Sequence, residues 1–189
     1  MIKIATHDSA TGERGQGILS WLVTPFAKTQ SKTIKEQYEA GCRMFDIRVK
    51  QGKNGEWVCA HGIWTAKRCA IDILHEINSF KEQCYVTITY EGRNAPEAFK
   101  AFVSLIKDAF PRIIYGGIAI KYGKGSHLFK VKYDYVEPYP KDWPANKQGF
   151  LPLDGKTWHI LLPIPWLWKK VYNDEPKWEE GVYTFVDFL

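Results

Sequence analysis

The chain has 189 residues, with 26 Lys and Arg against 21 Asp and Glu and a formal net charge of +5. This length is typical of one domain with a sizeable core, and no segment has the composition of a disordered tail, so we expect a single domain over residues 1–189. The mild positive charge suits anionic partners. The basic residues are scattered along the chain, however, and this argues against a nucleic-acid partner.

The start of the chain and its cysteines bear on where the protein works. The sequence begins MIKIATHDS, without a cationic leader and apolar segment, and no apolar run is long enough to span a membrane. We expect a soluble monomer, either cytoplasmic or released without a signal. Because Cys42, Cys59, Cys69 and Cys84 form no CxxC metal-binding pattern, we expect reduced cysteines in the core.

Strands and helices alternate in the first half of the chain. Alternating or apolar segments predict four strands, at residues 2–6, 44–49, 57–60 and 85–90. The helix after the first strand begins at a capping box formed by Thr33 and Glu36 and ends at Gly41. Two more helices are predicted at 70–80 and 96–106. This alternation predicts a parallel sheet with right-handed crossovers, either doubly wound or closed into a barrel.

The second half of the chain is less regular. It contains four further strand-like segments, at residues 118–122, 128–133, 158–162 and 182–188. No clear helical pattern separates them. A (β/α) barrel commonly has about 250 residues and rarely fewer than about 200. We therefore predict an α/β fold of the TIM type, a small and irregular barrel with reduced outer helices in the second half.

Polar residues cluster where the predicted strands end. They are His7, Asp8, Asp46, Arg48 and His61. Side chains alternate along a strand with a period of two, so Asp46 and Arg48 share one face. Placing that face inward turns Ile47 and Val49 toward the helices. A buried carboxylate and guanidinium are costly without partners or a ligand, which predicts a polar site at this end of the sheet.

This set of residues suits cleavage of a phosphodiester. One imidazole can remove a proton from the attacking hydroxyl, another can protonate the leaving oxygen, and the guanidinium can neutralise the non-bridging oxygens. No metal or cofactor is required. Each histidine needs a carboxylate partner, and Asp8 and Asp187 are the best placed in the sequence. The remaining histidines lack such neighbours and are expected to be structural or exposed, namely His75, His127 and His159.

Four segments of the chain together resemble the X domain of phosphatidylinositol-specific phospholipase C, and the bacterial type fits best. They are THDS, EQYEAGCRMFDIRV, CAHG and VTITYEG, with a weaker similarity in the final TFVDFL. The resemblance implies one catalytic domain with a distorted (β/α) barrel. It also implies attack by the substrate's own inositol 2-hydroxyl, which releases diacylglycerol and a cyclic inositol phosphate.

The resemblance also implies roles for individual residues. His7 in THDS would be the general base, His61 in the HG motif the general acid, and Arg48 in DIR the phosphate-binding residue. Asp8 and Asp46 complete the catalytic core, and Asp187 would support the base. Calcium-dependent relatives place acidic metal ligands in this region, and Arg48 supplies the positive charge here, so we expect no metal.

The residues expected to recognise the head group fit the family pattern less well than the catalytic motifs do. Glu91 occupies a position where bacterial members have a cationic head-group contact, and Arg93 or Lys121 would compensate. Two apolar segments are candidates for peripheral contact with a membrane: Trp21, Leu22, Val23 and Phe26, and Ile164 to Trp168 followed by Lys169 and Lys170. Packing in the core is the favoured alternative for both.

Three other functions fit parts of the pattern. A glycerophosphodiesterase or sphingomyelinase D-like enzyme also has a barrel that begins with a histidine, but it pairs acidic residues with a metal. A catalytically inactive module would keep the pocket and bind phosphorylated ligands or membranes. A structural or phage-associated interaction protein would show no pH-dependent activity and would tolerate substitution of Arg48.

Overall fold

A computed structural model of the chain describes residues 3–92, 95–122, 132–145 and 181–186. The described strands are β1 (Lys3–Thr6), β2 (Cys42–Gln51), β3 (Trp57–His61), β4 (Trp64–Cys69), β5 (Cys84–Tyr90), β6 (Ile113–Tyr115), β7 (Ile118–Tyr122), β8 (Lys132–Glu137) and β9 (Tyr183–Val186). The described helices are a 3-10 turn (Ser9–Gly12), α1 (Gly17–Ala27), α2 (Ile34–Glu39), α3 (Ala70–Ser79) and α4 (Pro96–Ala109). All of the strands belong to one sheet.

The sheet is mixed rather than wholly parallel. Strands β9, β1, β2 and β5 pair in parallel in that order, and β5 continues to β6 and β7. Strand β3 pairs antiparallel with residues 49–51, at the carboxyl end of β2, and β4 pairs antiparallel with β3. Strand β8 pairs antiparallel with β7. The predicted parallel pairing is confirmed for β9, β1, β2, β5, β6 and β7, but not for β3, β4 and β8. Strands β3 and β4 are antiparallel because short turns join β2 to β3 and β3 to β4 with no crossover helix between them.

The two faces of the sheet have different residues. Ile47 and Val49 of β2 lie in the main apolar cluster, together with Ile73 of α3 and Phe99 of α4. The opposite face carries a smaller cluster that includes Met44 of β2, and the polar residues Asp46 and Arg48 follow it along the same strand. The alternation predicted for β2 is confirmed, with its apolar side toward the helices.

Local sequence signals explain two of the helix boundaries. Thr33 and Glu36 form the predicted capping box, in which each side chain accepts a hydrogen bond from the other residue's backbone N–H. The chain turns after α2 at Gly41, whose φ of 98° is readily accessible only to glycine. Helix α4 begins with Pro96, a residue suited to the first helical turn.

Closure of the predicted barrel stays a prediction. Across the described residues the sheet is large and mostly open, and a single bridge between Ala145 and Tyr183 continues it beyond β9. The predicted strand at residues 158–162, and most of the one at 128–133, lie outside the described residues. Helix α1 was not predicted as a helix. All four cysteines are free, and three are buried as expected, namely Cys42, Cys59 and Cys84.

Candidate active site

The predicted polar residues meet at one edge of the sheet. His7 and Asp8 directly follow β1, Arg48 lies in the second half of β2, and Glu91 directly follows β5. Lys121 lies in β7, which pairs with β5. Because β1, β2, β5 and β7 are parallel, their carboxyl ends point in the same direction, and this edge is the usual place for active-site residues in such folds.

Asp46 is held by three hydrogen bonds at the base of the site. Its Oδ1 accepts from the hydroxyl of Thr87 at 3.0 Å, and its Oδ2 accepts from the backbone N–H of Asp8 at 3.2 Å. Its own N–H donates to Ser9 Oγ at 2.8 Å. These contacts join β1, β2 and β5, so Asp46 connects the strands that carry the site.

Arg48 lies at the centre of the cluster. Its Nε contacts Oδ1 of Asp8 and lies 3.5 Å from Oδ2 of Asp46, and its Nη1 donates to Oε1 of Glu91 at 3.1 Å. Burial alone would lower the pKa of Arg48, but these carboxylates outweigh it and raise that pKa further above its ordinary value. The guanidinium is therefore permanently charged and fixed in orientation.

His7 contacts the same guanidinium. Its Nε2 lies 2.6 Å from Nη2 of Arg48 and 3.2 Å from Oδ2 of Asp8. A guanidinium only donates hydrogen bonds, so in this contact Nε2 of His7 is the acceptor and the neutral ring carries its proton on Nδ1. The single lone pair of Nε2 is therefore engaged by the guanidinium of Arg48.

His61 approaches the site from the hairpin β3–β4. Its Nδ1 lies 2.7 Å from the carbonyl oxygen of Ala27, the last residue of α1, and its Nε2 lies 3.5 Å from Oδ2 of Asp8. The carbonyl is an acceptor, so Nδ1 donates to it and Nε2 is directed into the site. Because β3 is antiparallel to β2, His61 does not lie at the end of a parallel strand as we predicted; the returning hairpin brings it to the same place.

Glu91 joins three parts of the site. Its Oε1 accepts from Arg48 and from Nζ of Lys121 at 2.8 Å, and its Oε2 accepts from the backbone N–H of Gly62 at 2.8 Å. Burial alone would raise the pKa of Glu91, but the positive charges of Arg48 and Lys121 outweigh it and lower that pKa to about 2. Glu91 is therefore a carboxylate at neutral pH.

Three residues of the site have side chains that could ligate a divalent metal ion. His7, Asp8 and Asp46 each offer one ligand atom, and these atoms lie within 4.8 Å of one another. The guanidinium of Arg48 contacts all three of these residues. A cation bound to this set would have to displace, or lie against, a fixed positive charge. The set therefore suits an arginine better than a metal.

Some of the residues named from the sequence are not part of the cluster around Arg48. Asp187 and Arg93, together with His127 and His159, lie outside the described residues, so their roles stay predictions. His75 is exposed on α3, with an edge contact between its ring and that of Phe110, which agrees with a structural role.

Two groups that orient the catalytic candidates were not predicted from the sequence. Thr87 donates to Asp46, and the carbonyl of Ala27 accepts from His61. Thr87 could have been found, because it lies four residues before Glu91 in the alternating strand VTITYE and therefore shares its face. The Ala27 carbonyl carries no sequence signal, since any residue supplies the same backbone oxygen.

Helix α1 presents an apolar surface beside the site. Its exposed members, here called the α1 surface, are Ile18, Leu19, Trp21 and Leu22, with Trp21 72% and Leu22 55% exposed. Core packing, the alternative favoured above, is therefore wrong for Trp21 and Leu22, although Val23 packs against the core. The side chain of Phe26 and the segment 164–170 lie outside what the structure describes.

None of the described helices is long and apolar enough to cross a membrane.

Comparison with known proteins gives weak likenesses to solved structures. Phosphatidylinositol-specific phospholipase C from Listeria monocytogenes matches with 22% identity and a TM-score of 0.45, over 58% of this chain and 40% of that one. A structure of the Staphylococcus aureus enzyme, from work on its membrane binding, matches with 17% identity and a TM-score of 0.48, over 72% of this chain and 51% of that one. The chain thus spans about half or less of the length of these structures.

No family model matches the chain, and no curated protein matches it. The two structural likenesses described above have TM-scores below 0.5.

Proposed function

We propose that the protein is a phosphodiesterase in which His7 is the general base, His61 the general acid and Arg48 the phosphate-binding residue. One observation carries this proposal. The Nε2 atoms of both histidines lie within 3.5 Å of the same Asp8 oxygen, and Arg48 contacts Asp8 and His7. Two imidazoles and a guanidinium therefore converge on one carboxylate, and the proposed phosphate group would bind beside it in contact with all three.

The base and the acid differ in their partners. In the contact with Arg48, Nε2 of His7 is unprotonated, and it takes the proton of the attacking hydroxyl once the bound phosphate replaces His7 as the partner of this guanidinium N–H. His61 donates from Nδ1 to the carbonyl of Ala27 and directs Nε2 toward Asp8. The protonated ring therefore has an acceptor on each side, an arrangement that suits the group that gives a proton to the leaving oxygen.

The substrate class follows from the resemblance and from the charges of the site. We propose a phosphatidylinositol-type lipid, attacked by its inositol 2-hydroxyl to give diacylglycerol and a cyclic inositol phosphate. Attack within one molecule needs no activated water and loses little positional entropy. Arg48 neutralises the charge that develops on the non-bridging oxygens, so the reaction is proposed to be independent of metal.

The α1 surface is proposed to contact the phospholipid surface. Exposed apolar side chains on one helix, with a Trp among them, are typical of helices that lie in a membrane interface. Arg14 and Lys67 are both exposed, and a backbone hydrogen bond joins them next to the start of α1. Their positive charges would attract anionic lipid head groups. The carbonyl of Ala27, the last residue of α1, accepts a hydrogen bond from His61, so this helix connects the α1 surface to the proposed acid.

Cleavage of phosphatidylinositol vesicles in excess chelator tests the proposal. The wild type is compared with His7→Ala and His61→Ala, and the phosphate product is identified. We expect the wild type to release cyclic inositol phosphate and each variant to lose at least about 10²-fold in rate. Cleavage that requires added divalent metal would support the glycerophosphodiesterase or sphingomyelinase D alternative. Binding of the lipid without turnover would support an inactive module.

A further inference from the structure

The carboxylate of Glu91 has little capacity left for a ligand. Its two oxygens together accept hydrogen bonds from Arg48, Lys121 and the N–H of Gly62. Three of the roughly four acceptor positions of a carboxylate are therefore in use. The side chain is also only 7% exposed. A direct contact between Glu91 and a head-group hydroxyl would have to compete with these bonds.

The bond to Gly62 fixes the turn that carries His61. Gly62 directly follows His61 and has a φ of 59°, in the left-handed region that favours glycine. Its N–H donates to Glu91, and its carbonyl accepts from Nζ of Lys50 at 3.1 Å. A carboxylate after β5 and an ammonium on β2 therefore hold this turn from two sides.

The sheet itself does not hold His61 against β2. The ladder between β2 and β3 pairs Val49, Lys50 and Gln51 with residues 57–59, and His61 lies beyond it, paired with Trp64 in the hairpin. Contacts outside this ladder therefore contribute to the position of His61 relative to Arg48. Glu91 contacts Arg48 with one oxygen and the His61 turn with the other, so it joins the two directly.

We infer that Glu91 is a positioning residue, which sets the separation between the phosphate-binding Arg48 and the leaving-group acid His61. The inference rests on the proposed function and deepens it. It gives Glu91 a role other than the head-group contact expected from its position in the sequence. Because Glu91 remains a carboxylate at neutral pH, this link does not change over the pH range in which imidazoles titrate.

Assays with two substrates distinguish a positioning role of Glu91 from direct binding of the substrate by Glu91. Glu91→Gln keeps the size of the side chain but removes its charge. Glu82→Gln is the matched control, because Glu82 also pairs with an arginine, Arg43, at a site apart from the catalytic cluster. Each variant is assayed with phosphatidylinositol and with an inositol phosphodiester that has a nitrophenyl leaving group, which needs no proton from an acid.

We expect Glu91→Gln to lower kcat on phosphatidylinositol by roughly ten- to hundred-fold, with a smaller loss on the nitrophenyl substrate and little change in KM. Glu82→Gln should leave both activities unchanged. A rise in KM on both substrates with kcat unchanged would mean that Glu91 contacts the head group. An equal fall in kcat on both substrates would show that Glu91 acts on Arg48 alone, and either result overturns the inference.

A measurement that needs no turnover keeps this inference separate from the proposed function. In NMR spectra of isotope-labelled protein, Glu91→Gln should shift the amide signal of Gly62 and the ring signals of His61, whereas Glu82→Gln should shift neither. If these shifts occur in a protein that cleaves no diester, the link stands and the proposed function is wrong. If they are absent from a folded variant, Glu91 does not position His61.

Discussion

The Nε2 atom of His61 lies 3.5 Å from Oδ2 of Asp8, and the same oxygen lies 3.2 Å from Nε2 of His7. One carboxylate therefore neighbours both proposed proton carriers. In the proposed reaction His7 gains a proton from the attacking hydroxyl while His61 gives one to the leaving oxygen. Asp8 would face a single imidazolium before and after the transfer, so the charge around it changes little.

Replacing Asp8 by Asn tests this shared role. Asp8 has φ 46° and ψ 46°, a left-handed conformation that Asn adopts about as readily, so the backbone should tolerate the change. The lost charge should lower kcat by about 10²-fold, because neither imidazolium then has its carboxylate partner. Steady-state kinetics with phosphatidylinositol measure the effect, and a thermal unfolding curve is the control for stability. Full activity in Asp8→Asn would show that neither histidine depends on this carboxylate.

The two histidines also predict the dependence of rate on pH. The base must be neutral and the acid protonated, so kcat should rise and then fall in a bell shape around neutrality, where imidazoles ordinarily titrate. His61→Ala, assayed with a nitrophenyl leaving group, should keep the rising limb and lose the falling one, because no acid is then required. A wild-type profile that is flat between pH about 5 and 9 would contradict the pair.

Arg48→Lys tests whether charge alone is sufficient. The guanidinium reaches Asp8, His7 and Glu91 with three different nitrogens, and the single ammonium of lysine cannot reproduce this fork. We expect kcat/KM to fall by roughly 10²- to 10³-fold, with a partial decrease in stability because the carboxylates lose their partners. If chelator-resistant activity survives at the wild-type level in Arg48→Lys, Arg48 does not bind the phosphate.

The sequence was sufficient to predict which side chains share a face of a strand, but not which groups they contact in the site. The period of two in β2 was sufficient to predict that Asp46 and Arg48 share a face, since burial of Ile47 and Val49 leaves no other choice. The partners of these residues come from other elements. No local pattern predicts that Glu91 accepts from Gly62 or that His61 donates to Ala27, because these contacts depend on how the hairpin and α1 pack.

The direction of β3 and the helical state of α1 show the same limit. The segment before His61 was predicted as a strand, but its antiparallel pairing depends on short turns rather than on the composition of the strand. The segment GILSWLVTPFA is apolar on most sides, and its composition cannot distinguish a buried element from an exposed apolar helix. Its exposed side chains became evident only from its packing against β4.

The lowered pKa of Glu91 predicts a change of stability with pH. Its pKa is about 2, against 4.5 for an ordinary Glu, so ionised Glu91 stabilises the folded state above pH 4.5, and this stabilisation is lost as the pH falls toward 2. The corresponding free energy is on the order of 3 kcal/mol. The free energy of unfolding of the wild type should therefore decrease more steeply than that of Glu91→Gln between pH about 5 and 2. If the free energies of unfolding of the two proteins, measured with denaturant, change equally with pH over this range, ionised Glu91 does not stabilise the folded state.

The α1 surface gives a prediction with a closely matched control. Leu22 on α1 is 55% exposed and Leu105 on α4 is 56% exposed, so Leu→Ala at either position removes a similar area of apolar side chain from solvent. If α1 enters a lipid interface, only Leu22→Ala loses the transfer energy of its side chain, about 2 kcal/mol for full burial.

Binding to sedimented anionic vesicles should therefore weaken by about ten-fold in Leu22→Ala and remain unchanged in Leu105→Ala. Cleavage of a short, water-soluble diester should be equal in the two variants, because both leave the catalytic residues intact. Equal vesicle affinity for the two variants would mean that α1 does not contact the lipid. A loss of diester cleavage confined to Leu22→Ala would instead indicate that α1 acts on His61 through the carbonyl of Ala27.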